Sequence, residues 1–296
     1  MKFLIIGASG FIGRHTLARA RILGHEVLGT ASSPHPEKGL IGLDLACDRL
    51  ADKVPASFSR TGGPVFVVIS AGISKIDLCR REPAVTRTVN VTNTLRLMED
   101  AAALGARLVY LTSSAVFDGC AGCYMERDVP APLSEYGRQK TEIEAYCRER
   151  HPDWFLARLD KIVGDDPSEN HLFTEWYQWQ QAGHPITCMA SQLFSPTHVD
   201  DVAQAIILGC QKGLTGLYNV SNSEYFTRDE LARQYLRILG REAEIVCKTQ
   251  AELGFADLRP EKSCLDATRF VEATGMRFTS MRQVISQFKV KTGVVD

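Results

Sequence analysis

Tyr136 and Lys140 stand four residues apart in the stretch Leu-Ser-Glu-Tyr-Gly-Arg-Gln-Lys-Thr at 133–141. On a helix that spacing places both side chains on one face. A phenol titrates near ~10 and parts with its proton reluctantly at neutral pH. A neighbouring cation favours the phenolate and makes the phenol a better acid. One ammonium ~4 Å away is worth on the order of 4 kcal/mol at an effective dielectric near 20. That is the size needed to draw a phenol from ~10 toward neutrality at about 1.4 kcal/mol per unit. Tyr136 is therefore expected to be a general acid and Lys140 its tuning cation. Ser113, at the end of the apolar run Arg-Leu-Val-Tyr-Leu-Thr-Ser-Ser (107–114), is expected to hydrogen-bond and orient a substrate carbonyl oxygen. An acid, a cation and an orienting hydroxyl are the protein's share of a carbonyl reduction, for which a nicotinamide supplies the hydride.

Such a cofactor needs a cradle, and the chain opens on one. The apolar run Lys-Phe-Leu-Ile-Ile is followed by Gly7-Ala-Ser9-Gly10-Phe11-Ile12-Gly13. Glycines spaced three apart let the chain turn tightly, let backbone approach a pyrophosphate and let the next helix pack on the strand. The helix N-terminus then offers N–H groups and positive dipole to the phosphates. The second strand, Glu-Val-Leu-Gly-Thr-Ala-Ser-Ser (26–33), ends without the Asp or Glu that commonly holds a ribose 2′-hydroxyl. Thr30, Ser32 and Ser33 are expected to donate to a 2′-phosphate instead, with Arg14 just past the glycines. The preferred cofactor is thus read as NADP, with NAD as the other choice.

The elements that carry these residues alternate. Residues 11–23 read as a helix ended by Gly24. The runs at 64–70 and 107–114 read as buried strands, separated by a helical stretch at 85–104 that stops at Gly105. Residues 154–164 follow the Tyr/Lys helix as another strand. Strands alternating with helices imply a parallel sheet covered on both faces, a Rossmann-like doubly wound α/β fold. After Gly164 the rhythm breaks. A polar loop, an aromatic helix (172–183) and the short strand Pro-Ile-Thr-Cys-Met lead to a turn and helix at 195–209, then the strand Gly-Leu-Tyr-Asn-Val-Ser-Asn. Helices are expected at 229–239, 266–274 and 280–289. Residues 1–164 and 195–222 are read as the dinucleotide-binding domain, and 165–194 with 223–296 as a smaller α+β substrate-binding lobe. Trp176 and Trp179 are expected in the core of that lobe.

With 296 residues and 45% hydrophobic content, the chain can bury a sizeable core. A formal net charge of -1 offers no electrostatic case for nucleic acid or an anionic membrane. No apolar run approaches the ~20 residues of a membrane span, and the apolar start runs into the glycine turn, so it reads as a strand and not a signal peptide. Nine scattered cysteines suit free thiols in a cytoplasmic protein. The single Cys120-x-x-Cys123 has no second pair or histidines at ligand spacing, so no metal is expected.

The ordered set of Gly7/Gly10/Gly13, Asp44 in Gly-Leu-Asp-Leu-Ala, Ser70-Ala71-Gly72, Asn90, the Ser113 run and the Tyr136/Lys140 pair resembles the extended short-chain dehydrogenase/reductase family. Later motifs narrow the resemblance. Val-Phe-Asp-Gly at 116–119, Ser-Pro-Thr-His-Val-Asp-Asp at 195–201 and Arg259-Pro-x-x-Ser-x-Leu-Asp look like the dTDP-4-dehydrorhamnose reductases. The resemblance covers nearly the whole chain. It implies reduction of the 4-keto group of a nucleotide-linked 4-keto-6-deoxy sugar. It implies that Lys140 also holds the nicotinamide ribose, that Asp44, Leu45, Ser70, Ala71 and Gly72 line the cofactor, and that Ser114, Asn170, Gln192 and Arg259 meet the substrate. Arg259 would take the diphosphate, whose oxygens suit a guanidinium fork. A homodimer is the expected assembly. The chain departs from those reductases at 112–117, which reads Thr-Ser-Ser-Ala-Val-Phe where they usually read Ser-Thr-Asp-Tyr-Val-Phe. That stretch is partly like the sugar epimerases, so an epimerase that cycles bound NAD is the second reading. A non-catalytic regulatory subunit is the third, opposed by the intact Ser, Tyr and Lys.

Overall fold

The computed structural model describes residues 1–293 except 36–37, 56–57, 59–62 and 152. Seven parallel strands form the central sheet. They are β1 (Lys2–Ile6), β2 (Glu26–Ala31), β3 (Leu40–Gly42), β4 (Val65–Ile69), β5 (Arg107–Ser113), β6 (Phe155–Leu159) and the strand Gly216–Asn219. From one edge the order is Gly216–Asn219, β6, β5, β4, β1, β2, β3. The strand β3 had no signal in the sequence beyond three residues of Leu-Ile-Gly, too short for a periodic pattern. The chain winds outward from β1 in both directions, which leaves a crevice beyond the carboxyl ends of β1 and β4, where ligands of such sheets bind.

Every residue of β1 is buried, because helices cover both faces. The side-chain period of two sorts them. Phe3 and Ile5 join Val68, Val109 and Leu111 in one core, against Leu17 and Ala20 of α1 (Phe11–Ile22) and Val202, Ala205 and Ile206 of the helix Val199–Gln211. Leu4 and Ile6 face the other way. They meet Val67, Ile69 and Tyr110, with Leu97 and Met98 of the helix Thr94–Ala103 and Ile143 and Cys147 of the helix Glu135–Arg150. The expected helix at 85–104 is three pieces: Pro83–Arg87, a π-helical turn Thr88–Asn93, and Thr94–Ala103. Asn90 therefore sits mid-helix rather than at a helix start.

A third core of aromatic residues builds the lobe. Phe173 and Trp176 of the helix Leu172–Gln181 pack with Tyr235 of Arg228–Leu239 and Phe288 of Met281–Thr292. Trp176 is fully buried, as a core tryptophan should be. Trp179 is only half-buried and turns to the cleft. No described helix is long and apolar enough to cross a membrane.

Candidate active site

The glycine turn is built by contact. A Cβ on Gly13 would lie 2.2 Å from the Gly7 carbonyl oxygen and 2.7 Å from the Ser70 hydroxyl, so the helix can approach the strand only as glycine. Ser70 donates to the Ile6 carbonyl at 2.8 Å and ties the ends of β4 and β1 together. The N-cap of α1 is Gly10, with no side-chain cap and no acid in the first turn. The first N–H groups of that helix have no intrahelical acceptor and point out of its end. This is the donor set a pyrophosphate requires, and the residues present fit a dinucleotide.

A cleft of about 880 Å³ runs from this turn to the lobe. Gly10, Phe11, Ile12 and Gly13 line one end with Ser70, Ala71 and Gly72. Gly7, Ser9, Arg14, Thr30, Ser32, Asp44 and Leu45 are not among the lining residues. Thr30 is turned inward and buried, and its hydroxyl accepts the Gly7 N–H at 3.3 Å. It braces the glycine turn, and its burial keeps it from a 2′-phosphate. Ser32 and Ser33 are exposed beyond it. Arg14 donates to Glu169 at 2.7 Å and so ties α1 to the segment before the aromatic helix. Asp44 is exposed and accepts the Ala46 N–H at 2.9 Å, shaping its own turn.

Midway along the cleft stand Ser113, Tyr136 and Lys140. Ser113 is the last residue of β5. Its hydroxyl accepts the Ala115 N–H at 3.2 Å and caps the turn Ser114–Val116. Tyr136 enters at the start of the helix Glu135–Arg150, which Ser134 caps by accepting the Gly137 N–H at 3.1 Å. A Cβ on Gly137 would fall 2.1 Å from the Ala115 carbonyl oxygen. Glycine at this position lets the helix end abut the turn after β5, and so brings Tyr136 and Ser113 onto the wall of one cleft.

The Lys140 ammonium is held by groups other than the Tyr136 phenol. Its ammonium donates to the Tyr110 hydroxyl at 2.9 Å and the Leu111 carbonyl at 2.8 Å, and lies 5.8 Å from the Tyr136 ring centroid. Burial pushes the Tyr136 phenol up to about 12, with the nearby Ser113 hydroxyl pulling the other way. Burial also draws Lys140 down to about 8, against the field of Glu144. The reason is geometric. Tyr110, on the adjacent strand, captures the ammonium, and a sequence offset of four says nothing about a third residue from another element.

Behind this wall Glu144 and Arg158 are both buried and joined at 2.7 Å, and Thr112 donates to Glu144 at 2.7 Å. The pair pins the Tyr/Lys helix to β5 and β6. Asn90 donates to the Ile73 carbonyl and accepts the Ile73 N–H, at 2.9 and 2.7 Å, and so fixes the loop after β4.

The far end of the cleft is lined by charge. Asp160, just past β6, accepts from Ser114 and from the Ser195 N–H, each at 2.7 Å. Burial lifts its carboxyl to about 6 against those hydrogen bonds. The next residue, Lys161, is drawn down to about 8 by desolvation and by Arg228. Arg228 donates to Gln192 at 3.2 Å. Arg259 stacks on Phe255, 3.5 Å from its centroid, and pairs with Asp77 at 3.1 Å. Of the residues expected to meet substrate, Ser114, Gln192 and Arg259 line the cleft; Asn170 is exposed and does not. Lys161, Arg228 and Trp179 were missed. Residues 160 and 161 directly follow a sheet strand, the place where α/β sheets put ligand contacts, and that was their available signal. Arg228 opens a helix behind a Thr227 cap and carries no sequence signal at all.

The profile of the RmlD substrate binding domain family matches residues 1–292. The chain is similar to the probable low-salt glycan biosynthesis reductase Agl14 of Haloferax volcanii, 26% identical over 275 residues and covering 90% of each protein. It is also similar to methionine adenosyltransferase 2 subunit beta of Xenopus laevis, 26% identical over 239 residues, or 78% of this chain and 70% of that one. Among solved structures, the dTDP-4-dehydrorhamnose reductase of Bacillus anthracis in complex with NADP superposes with a TM-score of 0.82 at 21% identity, over 98% of this chain and 99% of that chain. Matched along nearly its whole length, this chain belongs to the RmlD substrate binding domain family.

Proposed function

We propose that the protein is an NAD(P)-dependent oxidoreductase, preferring NADP, that reduces the 4-keto group of a nucleotide-linked 4-keto-6-deoxy sugar. The observation that carries the reading is the convergence of Ser113, Tyr136 and Lys140 on the wall of one cleft that joins a phosphate-type glycine turn to two arginines. The names of the glycan biosynthesis reductase and of the NADP-bound reductase support it. Residues 1–164 and 195–222 serve the cofactor, and 165–194 with 223–296 serve the substrate.

Bound NADPH would supply the hydride. Ser113 holds the carbonyl oxygen and polarises it. Tyr136 then gives its proton to that oxygen. A phenol near 12 stays protonated throughout the neutral range, which is the state reduction needs, and it is still a stronger acid than an aliphatic alcohol. The Lys140 ammonium, 5.8 Å from the Tyr136 ring centroid and held by Tyr110 and Leu111, places a positive charge on the wall where the phenolate forms. Arg259 and Arg228 suit the diphosphate oxygens, Arg259 exchanging Asp77 for substrate.

The test is a panel of 4-keto-6-deoxy sugar nucleotides followed by NADPH absorbance and mass spectrometry. The expected product has gained two hydrogens, with one NADPH consumed per sugar. An isomer of unchanged mass without NADPH loss would replace this reading by an epimerase. The similarity to an adenosyltransferase subunit favours a second reading, a regulatory subunit of the same fold. Cofactor binding without turnover on any member of the panel would favour it.

A further inference from the structure

The cysteines left out of the catalytic reading are not evenly dispersed. Cys123 Sγ lies 3.4 Å from Cys264 Sγ, across 141 positions of chain. The Cys123 N–H also donates to the Cys264 sulfur at 2.9 Å. Their neighbours Tyr124 and Leu265 form a parallel β-bridge, closed by Tyr124 N–H to the Cys264 carbonyl at 3.0 Å and Asp266 N–H to the Tyr124 carbonyl at 2.9 Å. Cys123 and Cys264 are thus the preceding pair of the same two segments. Paired strands run ~4.7–4.9 Å apart, inside the ~4.4–6.8 Å span of Cα atoms that a disulfide bridges. Cys123 is held at φ 50°, a left-handed conformation uncommon for a residue with a side chain. Cys123 is exposed and Cys264 buried.

We propose that Cys123 and Cys264 form a redox-active dithiol, a site for thiol–disulfide exchange with a low-molecular-weight disulfide such as oxidised glutathione. The exposed Cys123 thiolate attacks one sulfur of that disulfide, forming a mixed disulfide and expelling one glutathione thiolate. Cys264 passes its proton to the expelled thiolate and attacks the Cys123 sulfur, which releases the second glutathione. The protein loses two electrons and two thiol hydrogens; the small disulfide gains both. Burial holds the Cys264 thiol up at about 12, which makes the exposed partner the entry point. The product ties residues 118–124, after the catalytic strand, to the segment whose Ser263 lines the cleft. Because the two segments are already in register, the bond stabilises the native arrangement, and the long loop it closes favours a large effect on the unfolded chain.

The experiment treats the reduced protein with oxidised glutathione, then maps peptides without reduction and records thermal unfolding. The expected result is a linked Cys123–Cys264 peptide, loss of two hydrogens in the intact mass, and an unfolding midpoint raised by several degrees. Cys120→Ser should behave as wild type. Cys264→Ser should stop at a stable glutathione adduct on Cys123, and Cys123→Ser should form neither a link to Cys264 nor an adduct on it. A Cys120–Cys123 link in place of the expected one, or a persistent adduct on Cys123 in the wild type, overturns the proposal. Since the readouts are mass and melting, they are independent of the sugar-reductase reading.

Discussion

The two ends of the cleft hold their ligand groups by different means. At the front, position is set by backbone and burial. Gly13 and Gly137 abut carbonyl oxygens, Thr30 braces the turn from within, and the Glu144–Arg158 pair is sealed behind the Tyr/Lys helix. At the rear, position is set by side chains on separate segments: Arg259 from one, Asp77 from another, Arg228 and Gln192 from two more. The two rear arginines are already paired but not sealed, since Arg228 and Arg259 keep 16% and 19% of their side chains exposed. The front is a preset frame for a constant cofactor. The rear is a set of exchangeable charge pairs, suited to a substrate that must enter and leave. A rigid frame is spoiled by adding an atom or removing a buried charge; an exchangeable pair is spoiled by losing the fork that changes partner.

The largest expected effect is at the chemical step. Tyr136→Phe should lower turnover by ~10²–10⁴, the usual worth of a general acid, while a fluorescence titration shows NADPH still binding. Near wild-type turnover at saturating substrate would remove Tyr136 from the reaction. Next comes the frame. Glu144→Gln leaves the Arg158 charge buried and unpaired, and should cost ~3–5 kcal/mol in a denaturant melt. A loss below about 1 kcal/mol would mean that the wall is softer than its burial implies.

At the rear, Arg259→Ala should raise KM for the nucleotide sugar by roughly 10–150-fold, the equivalent of a charged hydrogen bond of ~1.5–3 kcal/mol, with little change in kcat. A free 4-keto sugar should show no such dependence. If kcat falls as much as the affinity, the rear wall is part of the reacting frame and the contrast between the ends fails.

Smaller still is the pH dependence. Lys140 is charged below about 8, and Tyr136 stays protonated to about 12. The kcat for reduction should therefore be flat through neutrality and fall up to ~10-fold per unit above pH 8, as the ammonium is lost. Stability moves the other way on account of this group. Between pH 8 and 10.5 the unfolded chain keeps a proton that the folded one has lost, so folding gains with rising pH. A kcat constant to pH 10 would show that the Lys140 charge is not needed. Finally, NADPH should bind several-fold tighter than NADH, because no carboxylate ends β2 and Ser32 and Ser33 are exposed there. Calorimetric titration of both cofactors decides it, and a preference for NADH would assign those serines to the loop alone.

The sheet was legible because a strand buried on both faces must be apolar along its centre, and residues 3–6 of β1, all of β4 and residues 108–111 of β5 are. The aromatic helix at 172–181 was legible from its own composition, although which tryptophan faced the cleft was not. Trp176 and Trp179 are three apart: the lobe core seals Trp176, while Trp179 packs half-buried against that core and also lines the cleft.

What the sequence by itself determined is local: the glycine spacing, the strand and helix alternation, and the one-turn separation of Tyr136 and Lys140. These follow from backbone sterics and helical period, which act between near neighbours. What only the tertiary structure decided is which third group each side chain meets. Tyr110 takes the Lys140 ammonium, Gly7 takes the Thr30 hydroxyl, Asp77 takes Arg259, and Cys264 comes to Cys123. Charge, hydrogen bonding and thiol proximity depend on distance in space, and distance between residues far apart in the chain is fixed only when the cores close.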